Sequence, residues 1–230
     1  MRHRACPSGT LVLWSENGGV EIGLPDRMYG LADFPRDRFT EGLPEKTRLN
    51  LPPGVVSEHG IIQCETHLMR VEGSESAWQQ VKRVGRQGVR KAERLGCVVA
   101  EVEDTSYLTL SHSKSKRMGS PAMPAELLPL LRCEFGSANV GSTGVLFNDE
   151  AIAAVVWVVA DGYALLIDGA SSQKHWDKNP NNLAVWTAIE CVISRGADII
   201  DFGFSPIGSG DAQFKKHMGG TAVPLFAVER

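Results

Sequence analysis

The stretch GVLFNDEAIAAVVWVVADGYALLID, from Gly144 to Asp168, decides the fold. Three apolar runs, Gly144–Phe147, Ile152–Ala160 and Tyr163–Asp168, are separated by Asn148-Asp149 and Asp161-Gly162. Such dipeptides accept positive φ at low cost and make two-residue hairpin turns, so the segment reads as an antiparallel meander of three strands. Downstream, Asn179-Pro180-Asn181-Asn182 opens a helix over 181–195 that passes through Trp186 and Ile189 and stops at Gly196. A buried strand over 198–202 follows. The turn Gly208-Ser209-Gly210 then leads to a short helix near Ala212–His217 and a strand over Ala222–Val228.

Upstream, Cys97–Val102 reads as a strand, Asp104 or Thr105 caps a helix towards Lys116, and Pro124–Phe135 is an apolar-periodic helix. From residue 97 the order is therefore β-α-α-β-β-β-α-β-α-β. It predicts an α/β (α+β) domain built on a mixed, mainly antiparallel sheet flanked by helices. Trp157, Ile167, Leu183, Trp186, Ile189 and Ile200 are expected in its core. Residues 1–75 are rich in Gly and Pro, with strand-like pieces at Thr10–Trp14, Val20–Leu24 and Gly60–Val71 and many turn formers from Pro25 to Pro53. They read as a small irregular β subdomain, residues 1–75, before a main domain, residues 76–230.

The 230 residues are 43% hydrophobic and 22% charged, the composition of an ordinary globular protein. A formal net charge of -3 argues against a surface that coats nucleic acid as a whole. The five cysteines, Cys6, Cys64, Cys97, Cys133 and Cys191, are an odd set with no CxxC pair, which argues against a zinc site or a disulfide framework and fits a reducing cytoplasm. Six histidines without HxxxH spacing give no metal site. The longest apolar run, Ala151–Ala160, is too short for a membrane span.

A local basic patch does exist. Ser76 is placed to cap a helix over Ala77–Leu95, in which Lys82, Arg86, Arg90 and Arg94 recur every four residues beside Arg83 and Lys91. Trp78, Val81, Gly85, Gly88, Val89, Ala92 and Leu95 fall on the other half. Two readings stand: a solvated helix paired with carboxylates elsewhere, or a ridge that binds tRNA, a nucleotide-linked substrate or another polyanion. The small residues on the apolar face suit helix packing better than lipid insertion.

For chemistry, the strand end at Asp201 and the Phe214-Lys215 pair place an ammonium beside a crevice of the kind found at strand ends of α/β folds. Asp201 either holds Lys215 or a substrate amine, or caps the turn at Gly203. Asn181 and Asn182 either cap their helix or bind a substrate carbonyl. Lys114, Lys116 and Arg117 flank the Gly119-Ser120-Pro121 turn, which can bind phosphate or carboxylate or simply be solvated. His112, His175 and His217 lack an orienting partner in the sequence.

Three segments together resemble the FemAB-like branch of the GNAT acyltransferase superfamily. Val84 to Gly96 is similar to that family's Arg-x-x-Ile-Arg-Lys-Ala-x-x-x-Gly helix, Arg117-Met118-Gly119-Ser120-Pro121 to its Arg-x-Gly-[Thr/Ser]-Pro loop, and Asp201-Phe202-Gly203 through Phe214-Lys215 to Gly219 to its terminal cassette. The resemblance covers residues 76–225. Phe204 stands where relatives often carry Arg. Leu24-Pro25 and Tyr29-Gly30 look like remnants of the family's first GNAT-like half, which is shortened here to about 75 residues.

The resemblance implies an acyl- or aminoacyltransferase that forms an amide on an amine acceptor, a small molecule or a cell-envelope or peptidoglycan precursor. No cofactor is held permanently. Lys215 would stabilise the charge of the tetrahedral intermediate with Asp201 nearby, and Phe214, Arg86, Arg90, Lys91, Arg117, Asn181 and Asn182 would bind substrates. Acyl-CoA-dependent members place a Gly-rich turn before the helix at 181. Gln173-Lys174-His175-Trp176-Asp177-Lys178-Asn179-Pro180 lacks those glycines, and this favours aminoacyl-tRNA over acyl-CoA as donor. An acyl-CoA-dependent N-acyltransferase and a non-catalytic polyanion-binding module are the alternatives.

Overall fold

A computed structural model describes residues 2–5, 11–14, 22–24, 48–50, 61–119 and 122–229. The chain divides into two compact units. The first comprises residues 1–66, 204–212 and 222–230, and the second comprises 67–203 and 213–221.

In the first unit, strands β1 (Arg2–Ala5), β2 (Leu11–Trp14) and β3 (Ile22–Leu24) form an antiparallel sheet in that order. β2 and β3 fall within the expected pieces, whereas β1 had no sequence signal. Strand β4 (Arg48–Asn50) pairs antiparallel with the end of the last strand. The expected motif positions Pro25, Tyr29 and Gly30 lie outside the described residues, as do Ser120 and Pro121.

The second unit begins within β5 (Ile61–Arg70). Helices α1 (Ser74–Gln80) and α2 (Arg83–Arg94) follow, then β6 (Val98–Glu101), α3 (Asp104–Met118) and α4 (Leu127–Phe135). The meander is β7 (Val140–Phe147), β8 (Glu150–Ala160) and β9 (Tyr163–Ser171). Helix α5 (Pro180–Ile193) and β10 (Ile199–Asp201) follow; the chain then passes through β11 (Ser205–Pro206) of the first unit and α6 (Gly210–His217), whose residues from Gln213 belong to the second unit, and ends in β12 (Thr221–Glu229), which from Ala222 belongs to the first. Within the second unit the sheet runs β5-β10-β9-β8-β7-β6. Only β9 and β10 are parallel; the other neighbours are antiparallel. The mixed, mainly antiparallel sheet flanked by helices is the one expected.

Local chemistry accounts for the meander. Asn148, Asp149, Asp161 and Gly162 all have positive φ, from 48 to 82°, which is the type I′ geometry that matches strand twist. One expected core residue is displaced. Val156 pairs with Asp168 and Trp157 with Leu166, so Ile167 is the extra residue of a β-bulge and is only half-buried. Trp157, Leu183, Trp186, Ile189 and Ile200 are core as expected.

Helix α5 is apolar on nearly every side and is covered on both, by β7–β9 and by α2. The basic helix, expected as one piece, is two. Val81 and Lys82 leave the helical region (ψ 126° and 160°), and the Lys82 amide donates to the carbonyl of His217 at 2.9 Å. A partner 135 residues away along the chain thus breaks a helix whose own periodicity is continuous. Ser76 does not cap it; α1 opens at Ser74 after Gly73.

Candidate functional site

The site grows from the place where two parallel strands part. Ile199 and Asp201 of β10 pair with Tyr163 and Leu165 of β9, but β9 continues to Ser171 while the chain leaves β10 at Phe202 and Gly203. Gly203 has φ 74° and lies so close to the Leu166 carbonyl that a Cβ would sit 3.1 Å from it. Carboxyl ends of diverging strands are the usual ligand crevice of such sheets.

Asp201 is 5% exposed and both its oxygens are engaged. Oδ2 accepts a hydrogen bond from the Tyr163 hydroxyl, and Oδ1 accepts one from the Gly203 amide at 2.8 Å. The Gly203 carbonyl in turn accepts a hydrogen bond from Lys215 Nζ at 3.0 Å. Tyr163, Asp201 and the Gly203 turn therefore form a series that fixes the half-buried lysine. Of the readings of Asp201, capping the Gly203 turn is the one that the hydrogen bond from the Gly203 amide shows.

Phe214 packs partly buried against the core and anchors α6. The helix ends through Met218 N to Phe214 O at 2.9 Å and Gly220 N to Lys215 O at 3.0 Å. Gly219 has φ 102°, and a Cβ there would stand 2.5 Å from Met69 Cε. The Met218-Gly219-Gly220 signal is thus a close-packed helix end that sets where Lys215 points.

The basic ridge is only partly a ridge. Arg86 is half-buried and turns back onto α1, where its guanidinium donates to the Val81 carbonyl at 2.5 Å and reaches those of Trp78 and Gln79 at 3.4 and 3.5 Å. Arg90 lies over the Trp78 ring, 5.9 Å from its centroid. Lys91 is half-buried, whereas Lys82, Arg83 and Arg94 are exposed. Arg117 is exposed and stacks on Trp176 at 4.8 Å.

At the head of α5, Asn182 packs against Gly88 of α2, where a Cβ would lie 2.5 Å from its Cγ. Its Nδ2 donates towards Met218 Sδ at 3.5 Å, and Asn181 beside it is half-buried. The preceding segment, Gln173–Lys178, is a short 3-10 helix rather than a glycine loop. Three amides in and after it bond to nearby carbonyls: His175 to Ser172, Asn179 to Trp176 and Asn182 to Asn179. Pro180 has no N–H.

One half-buried network had no signal in the sequence. The Tyr107 hydroxyl donates to Asp168 Oδ2 at 2.8 Å, and Lys114 Nζ donates to Asp168 Oδ1 at 2.5 Å and to the Gly169 carbonyl at 3.0 Å. Burial, then the Asp168 charge, pushes the Tyr107 hydroxyl well above the usual phenol range. Tyr107 and Lys114 are two helical turns apart on α3, a spacing any helix face supplies, so only the packing of α3 on β9 reveals the pair's purpose. His112 is exposed, His175 is buried against Phe147, and His217 contacts Gln213. Among the described residues no group of His, Cys, Asp or Glu could hold a metal, and no helix is long and apolar enough to cross a membrane.

Comparison with known proteins agrees with this architecture. The acetyltransferase (GNAT) domain family matches residues 79–216, more than half of the chain. FemX is similar in structure at 12% identity and a TM-score of 0.64, covering 85% of this chain and 74% of its own. The C-terminal domain of a lysylphosphatidylglycerol synthetase candidate from Agrobacterium fabrum gives 13% and 0.62, covering 98% and 82%. L-PGS from Bacillus licheniformis gives 10% and 0.60, covering 100% and 83%. At these identities the likeness is one of fold. No curated protein matches the chain by sequence.

Proposed function

The chain belongs to the GNAT acetyltransferase domain family, and on that footing we propose that it is a FemAB-like transferase moving an aminoacyl group from aminoacyl-tRNA to an amine of a cell-envelope precursor. GNAT domains use acyl-CoA as co-substrate and hold no permanent cofactor. The reading of the donor is supported by the head of α5, where the segment lacks glycines, the His175, Asn179 and Asn182 amides bond to nearby carbonyls and Pro180 has no N–H. FemX and L-PGS among the structural neighbours point the same way.

The observation that carries the transferase reading is the fixed Lys215 ammonium at the diverging strand ends. In the reaction the acceptor amine attacks the ester carbonyl carbon of the donor, and a C–N bond forms as the carbonyl electrons move to oxygen. The Lys215 ammonium faces that developing oxyanion. Collapse breaks the C–O bond, the tRNA hydroxyl leaves with a proton, and the amine gives up one. The Gly203 carbonyl and the Phe214 anchor keep the cation in place beforehand, so little reorganisation is needed during the reaction.

Lys215→Met tests this reading with aminoacyl-tRNA and acetyl-CoA assayed in parallel against a small amine acceptor. Turnover with aminoacyl-tRNA should fall about 10²–10³-fold with folding intact. Full activity in the variant would remove Lys215 from the mechanism. Turnover with acetyl-CoA alone would overturn the donor and favour the acyl-CoA-dependent N-acyltransferase.

A further inference from the structure

The second unit carries an open cleft of about 370 Å³ whose lining includes Glu75, Trp78, Arg90, Glu93, Trp186 and Glu190. Tyr163, Asp201, Gly203 and Lys215 are not among its lining residues. Trp78 of α1 and Trp186 of α5 make its apolar wall, with ring centroids 4.5 Å apart at 58°. Glu93 and Glu190 stand one helical turn beyond Val89 and Trp186 on facing helices, so their carboxylates project at the same end. They feel each other: burial and the neighbouring Glu93 raise the Glu190 carboxyl above its ordinary range.

Glu75, Glu93 and Glu190 form no ion pair with any described residue. The single cation of the lining, Arg90, lies instead over the Trp78 ring. Three carboxylates against one guanidinium leave a local charge of -2 in a cleft with an aromatic wall. Packing alone would not select this combination. Unpaired like charges that converge repel one another, and beside them the Trp78 ring is left half-buried, with Trp186 buried beneath it. Arg90 shows that the ring face accepts a cation at this point. An aromatic wall beside carboxylates suits an organic cation.

We propose that this cleft binds a small organic ammonium ion, its charge between Glu93 and Glu190 and its carbon body on Trp78 and Trp186. Arg90 is then a resident competitor for the aromatic face, displaced when the ligand enters. The proposal is independent of the transferase reading and stands or falls by binding alone.

Ligand-observed NMR titration of the whole chain would use n-butylammonium, choline and the neutral analogue n-butanol, which separates primary from quaternary ammonium and charge from hydrophobicity. Saturable binding of an ammonium ion and none of n-butanol is expected. The double variant Glu93→Gln/Glu190→Gln should weaken binding by about tenfold or more, and Trp78→Leu by about tenfold. Arg90→Met should tighten it several-fold by removing the competitor. Each variant is checked by far-UV circular dichroism, and Glu75→Gln, at an exposed position, serves if the double variant does not fold. Equal binding of n-butanol, no saturable binding of either ammonium, or weaker binding by Arg90→Met would each overturn the proposal.

Discussion

Replacing Gly85 by Ala sets two effects of known sign against each other. In an exposed helix interior the change stabilises by about 1 kcal/mol, because Ala loses less backbone entropy. Here a Cβ would stand 2.5 Å from the His217 carbonyl oxygen and 2.7 Å from Val81 Cγ1. Contacts of that kind normally lie near 3.5 Å, so one partner has to retreat by roughly 1 Å. Val81 is 1% exposed and cannot swing out, while the His217 carbonyl already accepts the Lys82 amide that starts α2. Overpacking of this sort costs about 1–3 kcal/mol, and the weakened hydrogen bond adds roughly 0.5–1.5 kcal/mol. The helix gain offsets only part of this, which leaves a net loss of about 2 kcal/mol. Urea unfolding should show the midpoint falling by about 1 M at an unchanged slope of about 2 kcal/mol/M. Gln87→Ala, at an exposed position of the same helix, should stay within about 0.5 kcal/mol of the parent. His217 is two residues from Lys215, so the alanine variant should also lose transferase turnover. A Gly85→Ala protein as stable as the parent, or more so, would refute the packing of α2 on the end of α6.

The arginines of α2 should separate by role: Arg86→Gln loses the cap on the α1 carbonyls and destabilises by about 1–2 kcal/mol in the same unfolding assay, whereas Arg94→Gln leaves stability unchanged and lowers tRNA affinity with a shallower salt dependence. Glu190 has its carboxyl pKa raised by burial and by Glu93, so its contribution to stability is fully present below the ordinary carboxylate pKa and is lost as pH rises through the raised value. Thermal melts of Glu190→Gln should accordingly lie above the parent at neutral pH, and the difference should vanish as the pH falls below the usual glutamate range.

Local rules were enough for the meander, since Asn148-Asp149 and Asp161-Gly162 carry their own turn geometry and the runs between them have strand length. They were enough also for the apolar helix α5, whose opening Pro180 and closing Gly196 are contained in the sequence around it. The Phe214-Lys215 pair was legible as a candidate because its neighbours, Gly208-Ser209-Gly210 and Gly219-Gly220, mark a short helix in a bent connection. What the chain alone could not decide is every feature made by a partner distant in sequence. The His217 carbonyl divides the basic helix, the β8–β9 register puts Ile167 in a bulge, and α3 against β9 joins Tyr107 and Lys114 to Asp168. The arginines show the limit most plainly: their spacing places them on one helix face, but whether each meets solvent, a carbonyl or an indole depends on what packs beside that face. Periodicity is a property of one segment, whereas the direction of a long side chain is set by the free energy of contacts that exist only once the segments have been brought together.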